Sequence, residues 1–265
     1  MKTWFITGIS RGLGRALAQA VVARGDAVIG TVRGTPPELH GHVKILTLDT
    51  GDAASIPAAV DQAFAHTGRI DVLVNNAGYG LLGALENATD RELERLFAVD
   101  LLGPIRIIRA ALPRLRAQRA GHIINITSIA GRAPGSASAA YSGAKGALEM
   151  VSAGLSQELR PFGIHVTAVA PGAFRTDFLA ATSIQKSATA NYDSTGVAAF
   201  DAMNGNQLGD PDRAARAILD ITDSPTPPLH LLLGSDALNR MRAKLAAVTD
   251  EIDRYEAITR STDFA

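Results

Sequence analysis

The stretch Thr3-Trp-Phe-Ile-Thr-Gly-Ile-Ser-Arg-Gly-Leu-Gly14 decides the fold. Its first five residues form a short apolar run rich in β-forming types, which predicts a buried strand. Glycines follow at positions 8, 12 and 14, and an Ala- and Leu-rich segment through Arg24 then predicts a helix. A strand, a glycine-rich turn and a helix in this order are typical of the first unit of a parallel α/β sheet.

The rest of the chain continues this alternation of apolar runs and helical segments. The predicted strands cover residues 3–7, 27–32, 43–48, 70–74, 122–127, 164–170 and 229–233. Strands that alternate with helices form a parallel sheet with helices on both faces. We therefore predict an α/β fold in a single domain, a Rossmann-like doubly wound parallel sheet of about seven strands.

The composition excludes several classes of function. The 265 residues carry 26 Lys and Arg against 26 Asp and Glu, and this zero net charge argues against nucleic acid or an anionic membrane as the main partner. The chain has no cysteine, and its six histidines are scattered, so we predict no disulfide and no metal site. No apolar run approaches the length of about 18 residues that a membrane span needs, and we expect a cytoplasmic protein.

The glycine-rich turn after the first strand predicts a phosphate site. Glycines allow a tight turn and a close approach of phosphate to the backbone, while the following helix offers free N–H groups and a partial positive charge. The spacing Gly8-x-x-x-Gly12-x-Gly14 differs from the general dinucleotide fingerprint and from a Walker loop. Nucleotide binding is the favoured interpretation, and a turn that serves only packing is the alternative.

Two arginines favour a phosphorylated nucleotide. Arg33 follows the second strand, where an acidic residue would hold the ribose hydroxyls of NAD and an arginine would accept the 2′-phosphate of NADP. Arg11 lies inside the glycine-rich turn and is a second candidate phosphate ligand. The sequence therefore favours NADP(H) over NAD(H), although both side chains could instead be solvated surface charges.

A tyrosine and a lysine stand four residues apart in Tyr141-Ser-Gly-Ala-Lys145. On a helix this spacing places them one turn apart on the same face. The positive charge favours the phenolate, so we predict that Lys145 lowers the pKa of Tyr141. A phenol with a lowered pKa is a general acid/base for a hydroxyl or carbonyl substrate. The spacing also arises by chance, so this interpretation depends on partners elsewhere in the chain.

Five motifs together resemble the short-chain dehydrogenase/reductase family, in its order and spacing. They are Thr7-Gly8-x-x-x-Gly12-x-Gly14, Asn75-Asn-Ala-Gly78, Ser128, Tyr141-x-x-x-Lys145 and Pro171-Gly172. The resemblance covers residues 1–235, and in a branch of NADP-dependent members it extends to the C-terminal end. The resemblance implies an NAD(P)-binding catalytic domain over residues 1–235 with a substrate loop at about 174–208. We expect residues 236–265 to form a helical extension packed on the same domain.

The resemblance also implies a role for each matching residue. Tyr141 would exchange a proton with the substrate oxygen, Lys145 would assist it and bind the nicotinamide ribose, and Ser128 would hold the substrate oxygen. The cofactor-binding residues implied are Gly8, Ser10, Arg11, Gly12, Leu13, Gly14, Arg33, Asp49, Asn76, Ala77, Gly78, Tyr141, Lys145, Pro171, Gly172 and Thr176. Taken singly, Ser128, Asp49 and Asn76 could equally be turn or capping residues.

One position departs from the family's pattern. The family usually has an asparagine on the helix before the active site, where it helps to order a proton-relay water. The matching position here is Asp100, which we include among the catalytic candidates. An ionised carboxylate accepts hydrogen bonds but cannot donate them. We expect Asp100 either to hold a water or to pair with Lys145 and raise its pKa.

The sequence thus predicts an NADP(H)-dependent oxidoreductase that interconverts a carbonyl and a secondary alcohol. The large groups of the 174–208 loop are mostly Phe, Tyr, Leu and Met, which favours an apolar or amphipathic small-molecule substrate. The alternatives are a non-catalytic, NADP-binding redox-sensing regulator and an epimerase or dehydratase on the same scaffold. Relatives associate through the helix at 101–119 and the Tyr141 helix, so the resemblance is compatible with a homodimer or homotetramer.

Overall fold

The computed structural model describes residues 1–180, 183–187, 192 and 195–264. Strands and helices alternate along the chain, as the sequence predicts. The strands are β1 Thr3–Thr7, β2 Ala27–Val32, β3 Val43–Thr47, β4 Val72–Asn75, β5 Gly80–Leu82, β6 Gly121–Ile126, β7 Ile164–Pro171, β8 Ile184–Lys186 and β9 His230–Leu233. The α-helices are α1 Gly12–Ala23, α2 Ser55–Thr67, α3 Asp90–Phe97, α4 Gly103–Gln118, α5 Ala139–Leu159, α6 Thr195–Met203, α7 Pro211–Ile221 and α8 Ser235–Arg260.

Seven of the strands form one parallel sheet in the order β3-β2-β1-β4-β6-β7-β9. This confirms the predicted Rossmann-like fold, and each predicted strand agrees with an observed strand to within two residues at either end. Strands β2 and β3 are added on one side of β1, and the chain then returns to add β4, β6, β7 and β9 on the other side. The strand order therefore reverses between the neighbouring strands β1 and β4. Crevices at such a reversal, beyond the carboxyl ends of the strands, are where ligands bind in doubly wound sheets.

Both faces of the sheet are covered, which explains why β1 is apolar at successive positions. Trp4 and Ile6 point to the face that packs against α1 and α7, while Phe5 points to the opposite face, which packs against α2 and α4. All three side chains are fully buried. Successive strand residues face opposite sides, so a strand buried on both sides needs a continuous apolar run.

The segment at 174–208 contains more regular structure than the predicted loop. Strand β8 pairs with β5 in a separate two-stranded parallel sheet, and α6 follows it. Both strands have three residues, which is too short for an alternating pattern to be read from the sequence. Positions 181, 182, 188–191, 193 and 194 of this segment lie outside the described residues.

Helices α3 and α4 are joined by a single turn of π-helix at Ala98–Leu102. Pro104 lies in the first turn of α4, directly after the π turn, and its ring nitrogen has no N–H to donate to that turn. Short π-helical segments occur often at functional sites because the extra residue redirects a side chain. Here the turn contains Asp100, which is fully buried.

Helix α8 differs from the prediction in its packing. The sequence predicts a C-terminal extension that packs on the domain, but contact is confined to its first two turns. Ala237 is fully buried there, and Met241 packs against a small apolar cluster. All residues at 242–260 except Val248 are exposed. Most of the helix therefore extends away from the domain.

Candidate active site

A cavity of about 480 Å³ opens at the carboxyl ends of the central strands. All of the sequence-predicted site residues line it except Asp100, which lies directly behind its wall. The predicted residues that line the cavity are Gly8, Ser10, Arg11, Gly12, Leu13, Gly14, Arg33, Asp49, Asn76, Ala77, Gly78, Ser128, Tyr141, Lys145, Pro171, Gly172 and Thr176. We call the part around Gly8, Gly14 and Arg33 the glycine end, and the part around Ser128, Tyr141 and Lys145 the tyrosine end.

Backbone geometry shapes the glycine end. Gly8 and Gly12 have φ angles of 74° and 59°, in the left-handed region that favours glycine. Gly14 has an ordinary φ, but a Cβ there would lie 2.3 Å from both the Asn76 amide nitrogen and the Gly8 carbonyl oxygen. The absence of side chains at these positions therefore keeps the loop tight and its surface open to a ligand.

Asn76 holds this loop together. Its side-chain nitrogen donates to the carbonyl oxygens of Thr7 and Gly8 at 2.9 and 3.0 Å. The backbone amides of Asn76 and Ala77 donate to the Thr7 hydroxyl, each at 3.0 Å. Both amide protons of the Asn76 side chain are thereby used within the protein. Its side chain lines the cavity, but its hydrogen bonds link the end of β4 to the glycine turn.

The first turn of α1 begins at the wall of the glycine end. Arg11 is the N-cap residue, and its side chain makes no capping hydrogen bond to the helix. The backbone amides of the first turn are therefore not capped by that residue, which is the arrangement that binds a phosphate at a helix N-terminus. Arg33 follows β2 and is exposed at the same end of the cavity.

Asp49 has a partner that sequence analysis missed. Arg95 from α3 donates to both carboxylate oxygens of Asp49 at 3.0 and 2.8 Å, and the Gly51 amide donates to one of them at 2.9 Å. Burial opposes ionisation, but the Arg95 hydrogen bonds, the Gly51 amide and the charge of Arg33 together lower the pKa of Asp49 below its usual range. An ionised carboxylate therefore lines the glycine end.

The tyrosine end contains the predicted pair on α5. Tyr141 and Lys145 are buried, with 8% and 4% of their surfaces exposed. The Lys145 ammonium lies 5.9 Å from the centre of the Tyr141 ring and donates to the Ile126 carbonyl oxygen at 3.1 Å. Ser128 follows β6 and lines the same part of the cavity, where its hydroxyl accepts a hydrogen bond from the Ala130 amide at 3.1 Å. The structure thus brings together all three residues that the resemblance implied.

Asp100 forms a buried ion pair with Lys145. The Lys145 nitrogen lies 3.1 Å from one carboxylate oxygen of Asp100, and the Tyr79 amide donates to the other at 3.1 Å. Gly78 makes room for this pair, because a Cβ there would lie 3.0 Å from Asp100 and 3.2 Å from Lys145. Burial alone would lower the pKa of Lys145, but the charge and hydrogen bond of Asp100, together with Tyr141 and Glu149, raise the pKa above its usual range. The predicted pairing is therefore confirmed.

The predicted acidity of Tyr141 is wrong for the arrangement of side chains in this site. Burial raises the pKa of the Tyr141 phenol above its usual value. The charge of Lys145 and the nearby Ser128 hydroxyl act in the opposite direction, but the charge of Asp100 adds to the effect of burial. The Tyr141–Lys145 spacing correctly predicts that Lys145 lowers the pKa of Tyr141. It does not reveal the burial of the phenol or the carboxylate of Asp100 behind Lys145, and both raise this pKa.

The start of α8 contributes two residues that the sequence did not suggest. Asp236 and Arg240 both line the cavity. The Ala173 amide donates to Asp236 at 2.8 Å, and a Cβ on Gly172 would lie 2.2 Å from the same carboxylate. Asp236 therefore holds the loop that follows β7. A carboxylate in the first turn of a helix was the only available signal, and it is common at such positions.

Apolar side chains line the remainder of the cavity near Tyr141. The Phe178 ring lies 6.1 Å from the Tyr141 ring, measured between ring centres. The apolar residues of this wall are Leu82, Phe178, Leu179, Ile184, Phe200 and Met203. They come from β5, β8, α6 and the segment after β7. Thr176 caps the short helical turn that carries Phe178 by accepting a hydrogen bond from the Phe178 amide at 3.2 Å.

Within residues 1–180, 183–187, 192 and 195–264, no group of three or more His, Asp and Glu side chains could hold a metal ion. Over the same ranges, no helix combines the length and the apolar character needed to cross a membrane.

A doubly wound sheet with a glycine-rich turn and a buried Tyr–Lys pair at its carboxyl edge defines a class of nucleotide-dependent α/β enzymes. The family model for short chain dehydrogenases matches residues 2–187. The chain belongs to the short-chain dehydrogenase family. It is therefore an oxidoreductase that acts on CH–OH or carbonyl groups with a nicotinamide cofactor.

Similar proteins come from fungi and bacteria. The chain is 34% identical over 263 residues to the oxidoreductase BOA17 of Botryotinia fuckeliana, covering 94% of this chain and 96% of that protein. It is 36% identical over 236 residues to a 3-ketodihydrosphingosine reductase of Bacteroides thetaiotaomicron, covering 86% of each.

Two solved structures are also similar. A short-chain dehydrogenase from Streptomyces avermitilis superposes with a TM-score of 0.90 at 39% identity, covering 99% of this chain and 98% of that one. A metagenomic short-chain oxidoreductase in complex with NADP superposes with a TM-score of 0.68 at 27% identity, covering 88% of this chain and 95% of that one.

Proposed function

We propose that the protein is an NADP(H)-dependent oxidoreductase that interconverts a carbonyl and a secondary alcohol, with Tyr141 as the general acid/base. The observation that carries this proposal is the position of Tyr141. Its phenol lines the cavity together with Ser128 and lies beside the ammonium of Lys145. This is the set of groups that a hydroxyl or carbonyl oxygen needs for proton transfer and charge stabilisation.

Each residue has a separate task in the reduction. Ser128 hydrogen-bonds the substrate oxygen and stabilises the negative charge that develops there. Tyr141 donates its proton to that oxygen as a hydride reaches the carbonyl carbon, so a C–H and an O–H bond form while the C=O π bond is lost. Lys145 stabilises the phenolate that Tyr141 becomes. Asp100 is a positioning residue, which holds Lys145 through the 3.1 Å ion pair.

The glycine end fits a dinucleotide. A Cβ at Gly14 would collide with the loop, Gly8 and Gly12 have left-handed backbones, and the first turn of α1 opens at the cavity wall. The residues proposed to hold the cofactor are Gly8, Ser10, Arg11, Gly12, Leu13, Gly14, Arg33, Asp49, Asn76, Ala77, Gly78, Tyr141, Lys145, Pro171, Gly172 and Thr176. When bound, the reduced nicotinamide supplies the hydride.

The preference for NADP(H) rests on charge at the glycine end. Arg33 is exposed at the position after β2, where a 2′-phosphate would meet its guanidinium. The nearest carboxylate on that wall, Asp49, is already held by Arg95. It is therefore a poor partner for ribose hydroxyls, whereas Arg33 can form a charge-assisted contact with phosphate.

The raised pKa of Tyr141 favours the reduction at neutral pH. A phenol whose pKa lies above its usual value remains protonated there and can act as a proton donor. Alcohol oxidation requires the phenolate, which is scarce until the pH rises. The apolar wall around Phe178, Phe200 and Met203 supports an apolar or amphipathic carbonyl substrate. The relative from B. thetaiotaomicron is named for a keto substrate, which agrees with this choice.

The test follows NADPH absorbance with a panel of ketones and aldehydes of increasing chain length. We expect substrate-dependent NADPH oxidation, a secondary alcohol as the product of each ketone that is turned over, and lower KM values for longer apolar chains. Tight NADPH binding without turnover of any carbonyl or alcohol would instead support a redox-sensing regulator. Product formation without net change in the nicotinamide would support an epimerase or dehydratase.

A further inference from the structure

Helix α8 is unusually exposed for its length. It has 26 residues, which at about 1.5 Å per residue make it about 39 Å long. Beyond its first two turns, every residue but Val248 is exposed as far as Arg260. Most helical stability in proteins comes from packing an apolar face, and isolated helices are marginal in water. We therefore expect another surface to pack against the exposed part of α8.

One face of α8 carries a regular series of apolar residues, which we call the α8 stripe. Their spacing alternates between three and four residues, the pattern that seats one helix against another in a coiled coil. The α8 stripe comprises Leu238, Met241, Leu245, Val248, Ile252 and Tyr255. Of these, Leu238, Leu245, Ile252 and Tyr255 expose between 38% and 63% of their surfaces.

Charge is distributed unevenly along the same helix. Residues 235–247 carry a net charge of +2, and residues 248–260 carry a net charge of −2. Lys244 borders the α8 stripe in the basic half, and Glu251 borders it in the acidic half. Neither forms an ion pair with any residue that the structure describes. Both charges are thus available to a partner helix.

We propose that α8 pairs antiparallel with α8 of a second copy of this chain. In this orientation the basic half of each helix lies along the acidic half of the other. Leu245 then packs beside the partner's Val248, and Leu238 packs beside the partner's Tyr255. Met241, which already packs against its own domain, lies at the edge of this contact, near the partner's Ile252. Lys244 lies opposite the partner's Glu251, and the two-fold symmetry forms this pair twice.

A parallel pairing lacks this complementarity. It would align the basic half of each helix with the basic half of the other, and the acidic half with the acidic half, so like charges would lie side by side. Glu251 would then face the partner's Glu256, and Lys244 would face the partner's Thr249, because the flanking positions of parallel helices meet in that register. Like charges across such a seam are unfavourable, which favours the antiparallel arrangement.

This surface is separate from the cavity. No residue of the α8 stripe lines it, and only Asp236 and Arg240 at the base of α8 do so. The surface also differs from α4 and α5, the helices through which relatives associate. The proposal therefore stands or falls independently of the substrate, the cofactor preference and the role of Tyr141.

The first test is the molar mass of the full chain by light scattering during size exclusion. The double variant Leu245→Glu/Ile252→Glu places two charges in the α8 stripe, and we expect the mass of the assembly to halve. The matched control, Ala243→Glu/Ala247→Glu, adds the same charge on the opposite face of α8 and should leave the mass unchanged. NADPH binding should persist in both variants, which reports that the domain is folded.

The second test exchanges charges instead of disrupting the helix. Lys244→Glu and Glu251→Lys each turn two attractive contacts into repulsive ones, so we expect the dissociation constant of the assembly to rise about 10-fold or more. The double variant Lys244→Glu/Glu251→Lys restores opposite charges across the seam and should recover association. Loss of association in both single variants and in the double variant would reject the proposed register.

Cysteine trapping distinguishes the two orientations. The chain has no cysteine, so introduced thiols report only on their own positions. Antiparallel pairing places Leu238 beside the partner's Tyr255. A mixture of the Leu238→Cys and Tyr255→Cys proteins should therefore form a mixed disulfide dimer under oxidation, and neither protein should cross-link alone. Efficient cross-linking of each protein with itself would indicate parallel pairing and overturn the proposal.

Three further outcomes would also overturn it. They are a monomeric wild-type chain at all accessible concentrations, an assembly of unchanged mass in Leu245→Glu/Ile252→Glu, and binding of the monomer to anionic phosphatidylserine vesicles that this double variant abolishes. The last result would mean that a membrane surface covers the α8 stripe in place of a second copy.

Discussion

The two ends of the cavity are built in different ways. At the glycine end the backbone sets the shape, through left-handed glycines and the hydrogen bonds from Asn76 to the loop. At the tyrosine end buried side chains and their charges set the chemistry, with Asp100 and Lys145 paired at 3.1 Å behind the phenol. A change at the first end should act through shape, and a change at the second should act through proton affinity.

The largest effect is expected at the tyrosine end. Tyr141→Phe keeps the ring against Phe178 and removes only the acidic proton. Loss of a general acid/base typically costs about 10²- to 10⁴-fold in rate, and we expect kcat for carbonyl reduction to fall by that factor. The affinity for NADPH should change little. The measurements are steady-state kinetics and a fluorescence titration with NADPH.

Tyr255→Phe is the matched control, because Tyr255 is exposed on α8 and does not line the cavity. Its kinetics should equal those of the wild type. Turnover of Tyr141→Phe at the wild-type rate would remove the tyrosine end from the chemistry and leave its buried ion pair with a structural role only.

The next effect is expected at the glycine end. In Gly14→Ala the new methyl group would lie 2.3 Å from Asn76 and from the Gly8 carbonyl, so the loop must move. Overpacking of this kind costs about 1–3 kcal/mol, and we expect a lower free energy of unfolding together with weaker NADPH binding. Denaturant unfolding and ligand titration measure the two effects.

Gly154→Ala provides the comparison, because a Cβ on Gly154 in α5 meets nothing within 4 Å. Alanine is favoured over glycine in a helix by about 1 kcal/mol, so this variant should be as stable as the wild type or slightly more stable. Equal stability and NADPH affinity in Gly14→Ala would show that the loop is not as tight as its geometry implies.

The contrast between the two ends also explains what the sequence could predict. The glycine turn, the strand ends and the Tyr141–Lys145 spacing depend on local sequence, and their meeting at one edge follows from parallel strands. The sign of the shift in the pKa of Tyr141 depends on burial and on Asp100, which no spacing reveals. Strands β5 and β8 and the cavity-lining residues of α8 depend on distant packing, so local patterns did not predict them.

A smaller effect is expected from a variant that changes the charge of the glycine end without changing the shape of its loop. Arg33→Ala leaves the glycine loop intact and removes one guanidinium. A charged hydrogen bond contributes about 1.5–3 kcal/mol, so we expect NADPH affinity to fall roughly 10- to 100-fold and NADH affinity to stay the same. Arg91→Ala, on an exposed arginine of α3, is the control. Undiminished NADPH preference in Arg33→Ala would assign the preference to other residues.

The smallest expected effect tests proton affinity at the tyrosine end. Asp100 raises the pKa of Tyr141, so Asp100→Asn should lower it while Lys145 remains protonated. At an effective dielectric near 20, a unit charge roughly 6–12 Å from the phenol changes the pKa by roughly one to two units. Reduction needs the protonated phenol and is lost as pH rises through its pKa, whereas oxidation needs the phenolate and appears above it. Both limbs of the pH–rate profiles should therefore move to lower pH in Asp100→Asn.

A shift of both limbs to higher pH would mean that Lys145 loses its proton once its counter-charge is gone. Asp100 would then act by keeping the lysine charged, and the phenol would respond to the lysine more than to the carboxylate. Unchanged profiles would instead show that Asp100 and Lys145 cancel at Tyr141. The profiles thus measure whether Asp100 or Lys145 has the larger effect on the pKa of Tyr141. The two opposite charges lie only 3.1 Å apart, so their effects on the phenol are similar in size and opposite in sign.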